Sequence, residues 1–142
     1  MSGVQRIHGQ DVHEVTSNPV ELLRALTRFD TSNPPGDVRG CVEFVATRLR
    51  ERDIEPLVVG LDPERPNLIA RIPGRGSSPP LLVYGHLDVV PANPAEWTRP
   101  PFDAELVDGE VWGRGTLDMK GGVAMMLSAF LRVAAERLEP AG

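Results

Sequence analysis

Residues 81–84, with the sequence LLVY, restrict most strongly what this chain can fold into, because almost every side chain in the run is apolar. Such a run is typical of a strand buried on both faces, in a sheet covered by helices. It leads into Gly85, His86, Leu87 and Asp88, so a histidine and an aspartate follow the predicted strand. Open α/β sheets place ligand sites at the carboxyl ends of their strands. The sequence therefore predicts an α/β fold, with His86 and Asp88 either as a ligand site or as a histidine at a strand end held by a local aspartate.

The segments on either side supply the other elements of such a fold. Residues 17–19 (SNP) predict the start of a helix, with Val20, Leu22, Leu23, Leu26 and Phe29 as its apolar stripe. A second helix is predicted over 38–52, short strands over 54–59 and 67–72, and a hairpin over 104–112 that turns at Asp108-Gly109. A last helix carries apolar residues from Val123 to Leu138 and is closed by Pro140. This order predicts helices packed on a mixed sheet.

Composition excludes several classes of protein. Cys41 is the only cysteine, so no disulfide framework is expected, and a net charge of −5 argues against a general nucleic-acid surface. No apolar run approaches the length of about 18 residues that a membrane span needs. Residues 1–15 lack the apolar stretch of a signal peptide, which predicts a cytoplasmic protein. They are interpreted as a mobile arm, so His8 and His13 are weak candidates for a metal site.

Asp118 is the second candidate for site chemistry, in a loop that also contains Gly113, Gly115, Gly121 and Gly122. One interpretation is a helix N-cap, a common role of aspartate. The other is a metal ligand, because four glycines around one carboxylate indicate backbone crowding around a bound group. A histidine with one or two aspartates would suit zinc. Asp88 has two interpretations of its own, as a ligand or as the group that orients His86.

Other chemistries fit the residues less well. The loop at 113–115 has Asp118 where a dinucleotide-binding loop needs its third glycine, and a carboxylate there would repel a pyrophosphate. Ser77 and Ser78 have no histidine nearby in the sequence, which disfavours a serine nucleophile. Cys41 falls beside the apolar face of the second helix and is interpreted as packing.

Two longer motifs contain these residues, LVYGHLDVVP at 82–91 and WGRGTLDMKGG at 112–122. Trp97, PPF at 100–102 and SNPPG at 32–36 fit the same pattern. Over about residues 19–138 the chain resembles the M20 metallopeptidases and amidohydrolases. That family includes aminoacylases, acetylornithine deacetylases, succinyl-diaminopimelate desuccinylases and dizinc carboxypeptidases.

The resemblance implies a role for each matching residue. His86 would bind one Zn²⁺ and Asp118 would bridge two, with Co²⁺ or Mn²⁺ as substitutes. Asp88, the catalytic residue of the set, would lie behind His86 and raise its basicity. The Asp118–Met119 peptide bond would be cis. The reaction implied is metal-assisted hydrolysis of an amide or peptide bond next to an amino-acid carboxylate, in an N-acyl amino acid or a dipeptide.

The resemblance also implies that a Glu-Glu pair, another acidic ligand and a second histidine complete the site. After Asp118 the only acidic residues are Glu136 and Glu139, which are interpreted as a solvated helix face. Residues 16–142 are therefore expected to be the N-terminal portion of the catalytic domain, inactive alone, without the C-terminal half or the dimerisation domain. A homodimeric parent enzyme is compatible with this organisation. Two alternatives remain open, a non-catalytic metal- or partner-binding module derived from the family and one half of a split enzyme.

Overall fold

The computed structural model describes residues 17–142. The predicted arm at 1–15, with His8 and His13, lies outside the described residues. Two helices are followed by four short strands and a third helix, and this mixture of helices and strands confirms the α/β class. The elements are α1 (Pro19–Thr27), α2 (Arg39–Arg50), β1 (Leu57–Val59), β2 (Asn67–Ile69), a 3₁₀ turn (Pro94–Glu96), β3 (Glu105–Val107), β4 (Glu110–Trp112), an irregular helical turn (Thr116–Lys120) and α3 (Gly121–Ala135).

Helix α1 begins at the predicted residues because Asn18 caps it. The Asn18 side-chain oxygen accepts hydrogen bonds from the backbone N–H of Val20 at 2.9 Å and of Glu21 at 3.3 Å. Leu22 and Leu26, one helical turn apart, are buried. Val20 was expected in the same stripe but is 40% exposed. It lies two positions before Leu22, and side chains two positions apart point to nearly opposite sides of a helix.

The three helices share one hydrophobic core. Helix α2 buries the predicted face, and Cys41 lies on that face as expected. The core residues are Leu22, Leu26, Cys41, Val45, Leu49, Ile54, Ala124, Leu127 and Leu131. Because α1 and α3 both contribute to this core, the segment that precedes α3 is held beside the C-terminal end of α1.

The strands form two separate antiparallel pairs rather than one mixed sheet. In the first, Leu57 pairs with Ile69, and in the second, Glu105 pairs with Trp112. The hairpin at 104–112 is confirmed, and Asp108 with Gly109 has the positive φ values that a tight hairpin turn needs. The strands predicted at 54–59 and 67–72 are shorter than expected. Parallel pairing within residues 17–142 is limited to a bridge between Ser32 and Val89.

The prediction of a buried strand at residues 81–84 is wrong for the described structure. Leu81 is 88% exposed, Leu82 82% and Tyr84 85%, and none of the four residues belongs to a strand. A strand is buried on both faces only where neighbours pair with its edges and helices cover it. No strand pairs with this run in the part of the chain that the structure describes.

Helix α3 follows the predicted apolar spacing but ends earlier than expected. Leu127 and Leu131 lie in the core, whereas Leu138 is 51% exposed beyond the helix end at Ala135. The backbone at Arg137 has φ of 51°, a left-handed conformation that cannot continue an α-helix. Across residues 17–142, no helix has both the length and the apolar character needed to cross a membrane.

Candidate metal centre

The segment that carries His86 is fixed to the loop after α1. Val89 N donates to the carbonyl oxygen of Thr31 at 3.1 Å, and Asn33 N donates to the carbonyl oxygen of Val89 at 2.9 Å. The Thr31 hydroxyl donates to the carbonyl oxygen of Leu87 at 2.6 Å. These bonds join two segments that are far apart in sequence, so the backbone around His86 has a defined position.

Asp118 lies in the irregular turn, and the turn is anchored by Lys120. The Asp118–Met119 peptide bond is cis, as the resemblance implied. Lys120 is fully buried, and its Nζ donates to the carbonyl oxygens of Leu26 at 2.9 Å and Phe29 at 2.8 Å. The N-cap position of α3 is Lys120, without a side-chain cap. The N-cap interpretation of Asp118 is therefore wrong.

The imidazole of His86 lies between two aspartates. On one side, Nδ1 is 3.0 Å from the backbone oxygen of Asp88 and 3.2 Å from its Oδ1. On the other side, Nε2 is 3.2 Å from Oδ1 of Asp118. The structure thus brings together all three residues selected from the sequence, with Asp88 and Asp118 at opposite edges of one ring.

This environment changes the pKa of His86. Desolvation is the largest single influence and lowers the pKa, but the hydrogen bonds to Asp88 and Asp118 and their negative charges together outweigh it. The pKa of His86 is therefore raised above its ordinary value, because both ring nitrogens face acceptors.

The donor set fits part of a zinc site. Two ligands of a tetrahedral zinc ion, each about 2 Å from the metal, lie about 3.3 Å apart. The 3.2 Å between His86 Nε2 and Asp118 Oδ1 agrees with that spacing. Asp88 contacts the opposite ring nitrogen, an arrangement typical of a carboxylate that orients a metal-binding histidine. Within residues 17–142, no group of three or more His, Cys, Asp and Glu side chains is placed to hold a metal ion.

Two of the glycines near Asp118 are closely approached by protein atoms. A Cβ on Gly113 would lie 2.5 Å from a methyl group of Thr27, and a Cβ on Gly115 would lie 2.5 Å from a methyl group of Val89. These glycines allow the turn that carries Asp118 to pack against α1 and against the segment after His86. Both also line the cleft beside Asp118, so the interpretation that the glycines crowd a bound group stays a prediction.

The site opens into a cleft of about 440 Å³. Asn33, Trp97 and Arg114 line it together with His86, Asp88 and Asp118. The Arg114 guanidinium lies over the Trp97 ring at 5.1 Å from its centre and adds a positive charge to the cleft wall. Reasoning from the sequence did not assign roles to these three residues, although each lies in or between the recognised motifs.

Lys120 was also missed as a structural residue of the site. The available signal was its uniqueness, because every other basic residue in the chain except histidine is an arginine. By contrast, Glu136 and Glu139 are exposed, as expected for a solvated face.

Comparison with known proteins shows which proteins this chain resembles. Residues 82–142 match the family model described as Peptidase family M20/M25/M40. Succinyl-diaminopimelate desuccinylase from Methylorubrum populi is 41% identical over 127 residues, which cover 80% of this chain and 30% of that protein. These two matches support an M20 family metallopeptidase fragment.

Other relatives also match this chain over only part of their own length. A probable succinyl-diaminopimelate desuccinylase from Staphylococcus epidermidis is 37% identical over 115 residues, covering 80% of this chain and 27% of that protein. The crystal structure of an M20 family metallo-carboxypeptidase from Sulfolobus solfataricus matches with a TM-score of 0.70 and 20% identity, over 84% of this chain and 28% of the other. The structural likeness supports the fold. The chain spans about 30% of the length of the curated relatives it matches.

Proposed function

We propose that the whole protein is a metal-dependent hydrolase, and that His86 and Asp118 bind its metal ion, with zinc as the first choice. The observation that carries this proposal is the 3.2 Å approach of His86 Nε2 to Asp118 Oδ1 at the mouth of an open cleft. One nitrogen and one carboxylate oxygen are donors that zinc accepts, and Co²⁺ or Mn²⁺ would substitute.

The remaining residues of the site support these two ligands. Asp88 places its backbone oxygen and its carboxylate beside His86 Nδ1, and a proton held at Nδ1 would leave the Nε2 lone pair directed toward Asp118. Lys120 holds the turn that carries Asp118 against α1. A zinc pair, when bound, supplies an activated water and stabilises the negative charge that develops on the attacked carbonyl oxygen.

The proposed substrate class is an amide or peptide bond next to an amino-acid carboxylate. Of the relatives compared above, one is named as a succinyl-diaminopimelate desuccinylase, one as a probable one, and the structural relative as a metallo-carboxypeptidase. These names favour an N-acyl amino acid or a dipeptide as the substrate of the whole protein. Arg114 at the cleft wall is compatible with a substrate that carries negative charge.

We further propose that the 142-residue chain alone does not catalyse this reaction. Its described residues bring two candidate ligands and one supporting carboxylate together, whereas a two-zinc site needs more donors. The general base and the other ligands would come from residues outside this chain, within a larger catalytic domain. A homodimeric whole protein is compatible with this proposal.

Metal binding and turnover test the proposal separately. Purified chain is titrated with Zn²⁺ by calorimetry and assayed with N-succinyl amino acids and dipeptides in the presence of Zn²⁺. We expect weak binding, lost in His86→Ala and in Asp118→Ala, and no turnover above that of the His86→Ala protein.

Asp108→Ala provides the matched control, since Asp108 lies in the hairpin turn and does not line the cleft. Its binding should equal that of the unmodified chain. Zinc binding that survives in both site variants would contradict the ligand assignment. Zinc-dependent hydrolysis by the unmodified chain would contradict the proposed inactivity.

A further inference from the structure

We infer that Asn33 is a positioning residue of the metal centre, which holds the Asp88 carboxylate against His86 and so favours the ring tautomer that binds metal. This inference deepens the proposed function, on which it rests for the identity of the metal ligands. Asn33 belongs to the loop after α1. In the sequence 52 residues lie between Asn33 and His86, but the bridge between Ser32 and Val89 joins the two segments in space.

The Asp88 carboxylate is shared between two partners. Asn33 Nδ2 donates to Oδ2 of Asp88 at 3.0 Å, while Oδ1 of Asp88 lies 3.2 Å from Nδ1 of His86. The amide orientation of Asn33 follows from chemistry, because a carboxylate only accepts hydrogen bonds and so requires the NH₂ group of asparagine. Each carboxylate oxygen therefore lies close to a nitrogen atom of a neighbouring side chain.

Asn33 itself is held on two sides. Its backbone N–H donates to the carbonyl oxygen of Val89 at 2.9 Å, which sets its distance from Asp88. Its side chain also packs against Gly36, where an added Cβ would lie 3.1 Å from Cγ of Asn33 and 3.2 Å from its Oδ1. An asparagine fixed at both backbone and side chain is suited to orient a neighbouring carboxylate.

The orientation matters because two acceptors compete for one proton on neutral His86. Asp118 can accept a proton from Nε2, whereas at Nδ1 the backbone oxygen of Asp88 can accept and its carboxylate adds a negative charge 3.2 Å away. A proton on Nδ1 leaves the Nε2 lone pair free for a metal, and a proton on Nε2 occupies that lone pair. Without Asn33 the Asp88 carboxylate is free to rotate toward solvent, which weakens the Nδ1 side. The backbone oxygen of Asp88 remains, so a partial shift is expected.

The test measures the ring tautomer in the metal-free, full 142-residue chain. Long-range ¹H–¹⁵N spectra of ¹⁵N-histidine protein are recorded above the titration range of imidazole, at concentrations where the chain is monomeric by sedimentation. A His86→Gln spectrum assigns the signals. In Asn33→Ala we expect the ratio of Nδ1–H to Nε2–H to fall about fivefold, the factor carried by one ordinary hydrogen bond. An unchanged ratio would overturn the inference.

Asn33→Asp is a second variant that retains the side-chain shape. It replaces the donor with another carboxylate, so the ratio should fall in the same direction. The matched control is Asn93→Ala, because Nδ2 of Asn93 also donates to a carboxylate, that of Glu96, at 3.0 Å but away from the cleft. Asn93→Ala should leave the His86 signals unchanged.

A double variant separates a positioning role from a general structural one. In an Asp88→Ala background, Asn33→Ala should cause no further change in the tautomer ratio, because the carboxylate through which Asn33 acts is gone. A shift of the same size in that background would overturn the inference. The measurement needs no metal, so a chain that fails to bind zinc contradicts the proposed function alone, whereas zinc binding with an unchanged tautomer in Asn33→Ala contradicts this inference alone.

Discussion

Lys120 brings a positive charge into the protein interior, where its Nζ contacts the carbonyl oxygens of Leu26 and Phe29. Carbonyl groups at the end of a helix lack partners within the helix and carry partial negative charge, so a cation there is favourable. Burial lowers the pKa of Lys120, because desolvation disfavours the charged form. The side chain thereby connects the Asp118 turn to α1.

Replacing Lys120 with methionine tests this connection at the scale of one residue. Lys120→Met keeps most of the side-chain volume but removes the buried donor to both carbonyl oxygens, of which that of Leu26 still accepts from the backbone N–H of Phe29 at 3.3 Å. We expect a loss of about 2–4 kcal/mol in the free energy of unfolding, measured by urea denaturation.

Arg132→Met is the control for this prediction, because Arg132 forms an exposed ion pair with Glu136 on α3. Its effect should stay below about 0.5 kcal/mol. Equal losses in the two variants would show that the buried contacts of Lys120 contribute no more to the free energy of unfolding than an exposed ion pair does.

Cys41 offers a second residue-scale prediction. The thiol is buried, and desolvation raises its pKa from 9.0 to about 11 despite the nearby charge of Lys120. Below that pH the native thiol stays protonated, and at a given mildly alkaline pH the higher pKa leaves about a hundredfold less thiolate. We expect alkylation with iodoacetamide to be at least that much slower in the native chain than in urea, as followed by mass spectrometry. Equal rates would contradict the burial of Cys41.

The sequence supplied the residue types of the site but not all of its contacts. His86 and Asp88 were recognisable because they follow an apolar run at close spacing, and Asp118 because its motif resembles a known one. The bond from Asn33 to Asp88 was not predictable from local pattern, since it depends on the parallel bridge that brings two distant loops together.

At the scale of elements, the start of α1 was predicted well because its cap depends on a few adjacent residues. Asn18 caps α1 through two backbone N–H groups, and this pattern is visible in the sequence. Asn18→Ala should lower the free energy of unfolding by about 1 kcal/mol, measured from the urea midpoint. Asn18→Ser retains an oxygen acceptor and should remain near the stability of the unmodified chain. Similar losses in both variants would contradict a capping role.

Strand predictions were less accurate than helix predictions. The hairpin around Asp108 and Gly109 was correct because its turn is specified locally. The run at residues 81–84 was assigned to a buried strand from apolar character alone. Burial and strand pairing depend on neighbours, and composition within the run carries no information about whether those neighbours are present.

At the scale of the whole molecule, an exposed apolar stretch is the dominant feature. Leu81, Leu82 and Tyr84 are each more than four-fifths exposed, and Leu57 and Ile69 are more than half exposed. Extended apolar segments without partners favour association between chains. We expect the weight-average mass in sedimentation velocity experiments to rise with protein concentration.

A double substitution tests the source of that association. Leu82→Lys with Tyr84→Lys should keep the chain monomeric at concentrations where the unmodified chain associates. Leu61→Lys is the control, because Leu61 is fully exposed in a polar loop and is isolated from the apolar stretch. If Leu61→Lys makes the chain monomeric, or if the double variant still associates, the association does not depend specifically on Leu82 and Tyr84.

The sequence by itself determined the α/β class, the start of α1 and the hairpin, and it singled out His86, Asp88 and Asp118 as candidate site residues. These features depend on short-range patterns of capping, turn chemistry and spacing. Only the tertiary structure decided that His86 lies between two aspartates, that Lys120 anchors the Asp118 turn and that Asn33 reaches Asp88. It also decided that residues 81–84 are exposed. The physical reason is that hydrogen bonds between distant segments, and burial itself, depend on which parts of the chain pack together rather than on the local sequence.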